Sequence, residues 1–242
     1  APSAMALAEK MYSDFLGMQD YPVPQEMTEA DIAQAKAEFV QAAKNAIAAG
    51  FDGVELHGAN GYLLEQFLSP TTNQRTDAWG GNVEKRIKFV VEVARETAAA
   101  IGGDKLGIRL SPYGTNSGMV AYPEVEETYL KLLPLLADAG LVYVHIVDHS
   151  AMGAPVVPTP FKQALRMAWP RTFFIGGSFD QASGQQAVDD GLVDLVGIGR
   201  AFLANPDLVQ RLQKGQPLNP PDMGTFFTPG AKGYTDYALA AA

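Results

Sequence analysis

Val54 to Gly81 reads VELHGANGYLLEQFLSPTTNQRTDAWGG, and the architecture is decided here. An apolar strand runs into His57, and Asn60 and Tyr62 follow it closely. Several hydrogen-bond donors are therefore gathered at the mouth of one strand. Directly upstream, AIAAGFDGVELH gives a helix end, Gly50 and a short strand in succession. The same order returns around Gly140 in LADAGLVYVHIV and around Gly191 in AVDDGLVDLVGIG. Glycine after a helix tolerates the left-handed conformation that closes it. Two further apolar runs, LGIRLS (Leu106–Ser111) and TFFIGG (Thr172–Gly177), complete the set.

Five strands are thus predicted, near 52–57, 105–110, 141–147, 172–176 and 194–199. Thr28 and Asp31 have capping-box spacing and open a helix that runs to Ala49, with Ile32, Phe39 and Ile47 on one side. Asn82 to Ile101 repeats apolar residues at helical intervals. Glu124 to Ala139 is a third helix, which Pro134 is expected to kink or end. Gln181–Asp190 and Asn205–Lys214 are short helices. Residues 112–122, 147–160 and 215–242 read as loops or tail. Short strands alternating with helices indicate βαβ units and a parallel sheet. A closed (β/α) barrel takes eight strands. Five parallel strands alone leave two apolar edges, and a five-stranded doubly wound sheet is the alternative at this point.

Composition narrows the function. With 242 residues, 47% of them hydrophobic, a sizeable core is available. The net charge of −9 and the lack of a basic run argue against a nucleic-acid partner. The absence of cysteine excludes disulfides, thiolate nucleophiles and cysteine-ligated clusters, and it fits a reducing, cytoplasmic location. No apolar run is long enough for a membrane span, the N-terminus lacks a signal core, and no metal-ligand spacing is present.

The HGANGYLLEQFLSPTTNQRTDAWGG and GIGRAFLANPDL segments closely resemble the Old Yellow Enzyme family of FMN-dependent ene-reductases. The resemblance runs along the whole chain but matches only the later part of the family's barrel. It implies an α/β fold, the (β/α)8 TIM barrel. This chain would supply about five strands, the fourth to the eighth, with their helices. Residues 1–242 would be the C-terminal part of a single flavin-binding domain, with the missing N-terminal strands expected from a complementary polypeptide. The implied cofactor is FMN, the reductant NADPH or NADH, and the substrate a small activated alkene.

The site residues follow from this. His57 and Asn60 can together donate two hydrogen bonds to one carbonyl or nitro oxygen, stabilising charge that develops there. Tyr62 can protonate the α-carbon. The resemblance assigns these roles to the three residues. Arg109 lies inside an apolar strand, where a charge is costly unless paired; the family places this Arg beside the flavin pyrimidine ring. Gly176, Gly177 and Ser178 end one strand, and Gly199 and Arg200 follow the next. The last two βα loops of a barrel commonly hold phosphate with backbone N–H groups and a helix N-terminus. The resemblance places Phe226 near the flavin's dimethylbenzene edge and has Phe227 line the substrate pocket, where many members carry Tyr. Tyr113 and the 114–122 loop are further candidates for the substrate side. Arg75 and Asp77 read as a pair that pins their loop. His145 reads as a core histidine, and His149 has no evident partner. A phosphate-binding aldolase or isomerase barrel, and a non-catalytic flavin-binding fragment, are the alternatives.

Overall fold

The computed structural model describes residues 1–177 and 179–240. It opens with an antiparallel hairpin, β1 (Lys10–Ser13) and β2 (Gly17–Asp20), paired from Lys10↔Asp20 to Ser13↔Gly17. Then come α1 (Glu29–Ala48), β3 (Val54–Gly58), α2 (Leu63–Leu68), α3 (Val83–Ile101), β4 (Leu106–Leu110), α4 (Val125–Asp138), β5 (Tyr143–Val147) and α5 (Thr159–Ala168). β6 (Thr172–Gly176), α6 (Gln181–Asp189), β7 (Leu195–Gly197), α7 (Arg200–Ala204) and α8 (Leu208–Lys214) complete the order.

β3 to β7 form one parallel sheet in sequence order, so each strand pairs with the next after a helical crossover. α1 packs on α3, α3 on α4 and α4 on α5, giving a helical layer on one side only. This is the arrangement of five consecutive βα units of a (β/α)8 barrel. Leu56, Ile108, Leu110, Val144, Ile146, Phe173 and Ile175 point into the helical layer and are buried. Each contributes about 1.5–3 kcal/mol on removal from water. The alternate residues Glu55, His57, Arg109, Tyr143, His145 and Phe174 stand on the opposite, concave face, and none of them is fully buried.

Local chemistry accounts for the boundaries. Thr28 caps α1 reciprocally: its Oγ1 accepts the Asp31 N–H at 3.2 Å, and its own N–H donates to the Asp31 carboxylate at 2.8 Å. Gly50, Gly140 and Gly191 all take positive φ (95°, 89° and 66°) directly after their helices. Arg75, whose side chain is 5% exposed, bonds Asp77 and the Pro2 and Met27 carbonyls, tying the long β3–α3 connection to the N-terminal segment.

Several features depart from the sequence reading. Pro134 neither ends nor divides α4. One lost N–H bond is outweighed by the buried stripe Val125, Tyr129, Leu132, Leu133 and Leu136, which holds the helix on both sides of the proline. The hairpin, α2 and α5 are additional elements. The segment around 205 divides into α7 and α8, separated at Asn205.

Candidate active site

The site is built at the C-terminal ends of the parallel strands. In β3 and β4, His57 is directly opposite Arg109. The chain then leaves β3 through Asn60 and Gly61, both left-handed at φ 61° and 76°. For asparagine that conformation is uncommon and has to be held in place. Two backbone bonds hold it. The Asn60 N–H donates to Ser111 Oγ at 2.9 Å, and the Gly61 N–H donates to Glu65 Oε2 at 2.6 Å. Ser111 in turn donates to Glu65 Oε1 at 2.7 Å, and Tyr129 donates to the same oxygen at 3.1 Å. A buried carboxylate thus fixes the loop from below. Tyr62 precedes α2 with its side chain 56% exposed and its ring 5.3 Å from the His57 ring.

A cavity of about 580 Å³ opens beside this loop, within the ~300–1,000 Å³ span of small-molecule clefts. Its wall includes Arg109, His145, Asp148, His149, Gly176, Gly177, Gly199 and Arg200. Gly177 stands at φ 128°, and a Cβ there would collide with the Asp148 carbonyl oxygen. Only glycine fits, and its bare backbone faces the cavity.

The cavity is cationic. Asp148 is bound to Lys162 at 2.7 Å and to the Ser150 N–H at 3.0 Å. Arg109 and Arg200 make no ion pair or side-chain hydrogen bond among the described residues. Burial lowers the pKa of half-buried Arg109, while Glu55 and Glu65 act to raise it. Burial and then Arg109 hold His57 below the usual imidazole range. His149 is lowered by burial, and further by Arg109 and Arg200 against Asp148. Both imidazoles are neutral near pH 7 and each keeps one N–H to donate.

The structure gathers Arg109, Gly176, Gly177, Gly199 and Arg200 around one cavity. His57 does not line it but stands opposite Arg109 across β3 and β4, and Asn60 is joined to the cavity wall through His149, whose Nε2 lies 2.7 Å from Asn60 Oδ1. Ser178 lies outside the described residues. Phe226 and Phe227 do not line the cavity; they form an edge-on pair in the tail, with Phe227 98% exposed at φ 63°. Three participants escaped the sequence reading. His149 reaches a residue 89 positions away. His145 is no core histidine: it stacks on Phe174 at 4.1 Å and meets Glu55 at 3.2 Å on the concave face. Glu65 was legible only as a charge flanked by Leu64, Phe67 and Leu68. Among the described residues no group of three or more His, Asp or Glu could hold a metal, and no helix is long and apolar enough to cross a membrane.

The profile of the NADH:flavin oxidoreductase / NADH oxidase family matches residues 1–219. A chanoclavine-I aldehyde reductase of Penicillium roqueforti is 46% identical over 232 residues, covering 92% of this chain and 62% of the relative. An NADP-dependent oxidoreductase of Aspergillus flavus is 40% identical over 234 residues, covering 90% of this chain and 62% of the relative. Among solved structures, morphinone reductase in complex with tetrahydroNAD superposes with a TM-score of 0.92 at 34% identity, covering 100% of this chain and 66% of that one. The old yellow enzyme homologue from Zymomonas mobilis gives 0.93 at 30% identity, covering 99% and 68%. The chain therefore spans about three fifths of the length of these two curated relatives.

Proposed function

This chain belongs to the NADH:flavin oxidoreductase / NADH oxidase family, and we propose that it carries the catalytic part of an FMN-dependent NAD(P)H ene-reductase. The substrates in this reading are activated alkenes: enones, enals, maleimides and nitroalkenes. The observation that carries it is the junction of a donor loop, His57–Tyr62, with a cationic cavity whose floor is bare glycine backbone.

The residues present fit FMN. Gly199 has open space where a Cβ would stand, and two arginines lack acidic partners among the described residues. Arg109 would face the electron-rich pyrimidine edge of the ring. Gly176, Gly177, Gly199 and Arg200, with Ser178, would take the phosphate, and Phe226 the dimethylbenzene edge. When bound, FMN supplies hydride chemistry, accepting two electrons from NAD(P)H and returning hydride to the β-carbon of the alkene.

The protein's own part is electrostatic and acid–base. His57 and Asn60 donate to the substrate's carbonyl or nitro oxygen, and the loop that carries Asn60 is held by its bonds to Ser111 and Glu65 before charge develops there. The His57 imidazole is neutral, so it stabilises that charge as a hydrogen-bond donor and does not surrender a full proton. Tyr62, exposed beside His57, hands its phenolic proton to the α-carbon. Phe226 and Phe227 lie off this cavity in the tail, so their places at the dimethylbenzene edge and the substrate rest on the family resemblance alone. Aldolase or isomerase chemistry would call for a lysine or glutamate at a strand mouth, and among the described residues neither type lines the cavity.

The sheet edges at β3 and β7 carry no further strand among the described residues. Unpaired parallel edges and a half-exposed concave face invite cover. In this reading further strands of the same barrel, in the same or a complementary polypeptide, close it and complete the flavin site. A cytoplasmic location belongs to this reading, because a chain without cysteine fits a reducing compartment. The test is reconstitution with FMN, followed by anaerobic reduction with NAD(P)H and mixing with a cyclic enone or a nitroalkene. Stoichiometric flavin binding and alkene-dependent reoxidation are expected. A chain, alone or with its complementary strands, that holds no flavin would overturn the proposal.

A further inference from the structure

His149 lies just past the mouth of β5, 8% exposed, with Nε2 2.7 Å from the Asn60 side-chain oxygen. An amide oxygen only accepts hydrogen bonds, so the imidazole must be the donor, with its proton on Nε2. This contact decides more than a distance. The two ends of an asparagine amide have nearly the same shape, but only the NH₂ end can stabilise a negative oxygen; the C=O end would repel it. Fixing the backbone does not choose between them. The Ser111 bond to the Asn60 N–H and the left-handed φ of 61° set where the side chain starts, not which end it presents. The His149 bond consumes the oxygen and leaves Nδ2 as the free end.

We propose that His149 is a positioning residue: by donating Nε2–H to Asn60 Oδ1, it holds the Asn60 amide with its NH₂ group toward the substrate oxygen. This rests on the reading of Asn60 as an oxyanion donor. Neutral His149 fits the role, since burial and the nearby Arg109 and Arg200 cations oppose a second proton. The neutral ring still has two tautomers, and the role requires the Nε2–H form.

The first test needs no variant. The chain has three histidines, so ¹⁵N-histidine labelling of the flavin-loaded protein resolves each ring. His149 is expected as the Nε2–H tautomer; an Nδ1–H tautomer overturns the proposal. The second test is titration with a para-substituted phenol, an oxyanion stand-in, followed by its long-wavelength absorption with oxidised flavin. His149→Phe is expected to weaken phenol binding about tenfold, as loss of one oriented hydrogen bond implies. His149→Gln, which retains an N–H donor, is expected to recover most of that loss. In an Asn60→Ala background His149→Phe should add nothing. If Asn60→Ala weakens binding and His149→Phe does not, the positioning role fails while Asn60 stands. If His149→Phe weakens binding equally in both backgrounds, His149 touches the ligand itself and the proposal is wrong. If Asn60→Ala changes nothing, the underlying reading of Asn60 fails, and the proposal with it.

Discussion

Glu65→Gln isolates the buried carboxylate under the donor loop. Glu65 is 3% exposed and accepts from Gly61, Ser111 and Tyr129, with no cation paired to it among the described residues. Burial raises its pKa from 4.5 to about 7, against the opposing pull of the three donors. At 1.36 kcal/mol per pK unit, ionising it in the folded protein costs about 3.4 kcal/mol more than in the unfolded chain. The sign follows from proton counts. Between pH 4.5 and 7 the folded protein holds a proton that the unfolded chain has released, so stability falls as pH rises. The contribution is fully present below 4.5 and is lost through 7. Between pH 5 and 8 the loss amounts to about 2.5 kcal/mol. Gln cannot ionise, so that portion of the pH dependence disappears in the variant. Urea unfolding of both proteins at pH 5, 6, 7 and 8 should show Glu65→Gln gaining about 2.5 kcal/mol on the parent across the series. In melting temperature this is a relative gain of roughly 5–10 °C. Other titrating groups cancel in the difference. Parallel pH profiles would refute the raised pKa. A variant that loses ground as pH rises would mean that the three hydrogen bonds outweigh burial.

Tyr62→Phe is expected to slow alkene-dependent flavin reoxidation by ~100-fold or more, the scale of one general acid, while NAD(P)H-dependent reduction stays nearly intact; stopped-flow absorbance separates the two half-reactions, and an equal loss in both rejects Tyr62 as the proton donor. His57→Ala is expected to weaken phenol binding and reduce its charge-transfer band, and an unchanged affinity removes His57 from the oxyanion role. Arg200→Ala is expected to lower affinity for FMN far more than for riboflavin by fluorescence titration, because only FMN carries the phosphate; equal losses would make Arg200 a structural residue.

What could be read in the sequence was local and periodic. Thr28 and Asp31 announce α1 because a reciprocal cap needs only residues three apart. The apolar runs ending at His57 and Arg109 announce strands because one face of each is buried against helices. Arg109 was legible as part of the site because a charge inside such a run needs a reason. The hairpin was not legible: its strands are four residues each and neither buries a face, so no alternation marks them. Pro134 does not end α4 because the rule concerns one backbone bond, whereas the helix is held by apolar side chains spread over several turns. The partnership of His149 with Asn60, and of Glu65 with Ser111, depends on which strand mouths become neighbours. That is a property of the sheet's register and strand order, and spacing along the chain does not carry it.

The concave face explains why the leftover charge sits where it does. In a packed barrel interior the inward residues are mostly branched and apolar. Here β3 to β5 contribute Glu55, His57, Arg109, Tyr143 and His145 instead. Glu55 meets His145 Nδ1 at 3.2 Å. Burial pushes the Glu55 carboxyl up, but His145, Tyr143 and Arg109 together bring it below its ordinary value, so it is ionised. Glu55 on the concave face and Glu65 beneath the loop both favour the Arg109 cation without forming an ion pair with it among the described residues. A direct salt bridge would have consumed the guanidinium donors. Support from a distance keeps Arg109 charged while leaving those donors free toward the cavity. The half-buried cation is costly in the protein alone, and a ligand bearing negative charge at that edge would relieve the cost. The free donors and the retained charge therefore serve one end: Arg109 stays able to meet negative charge on a bound ligand directly.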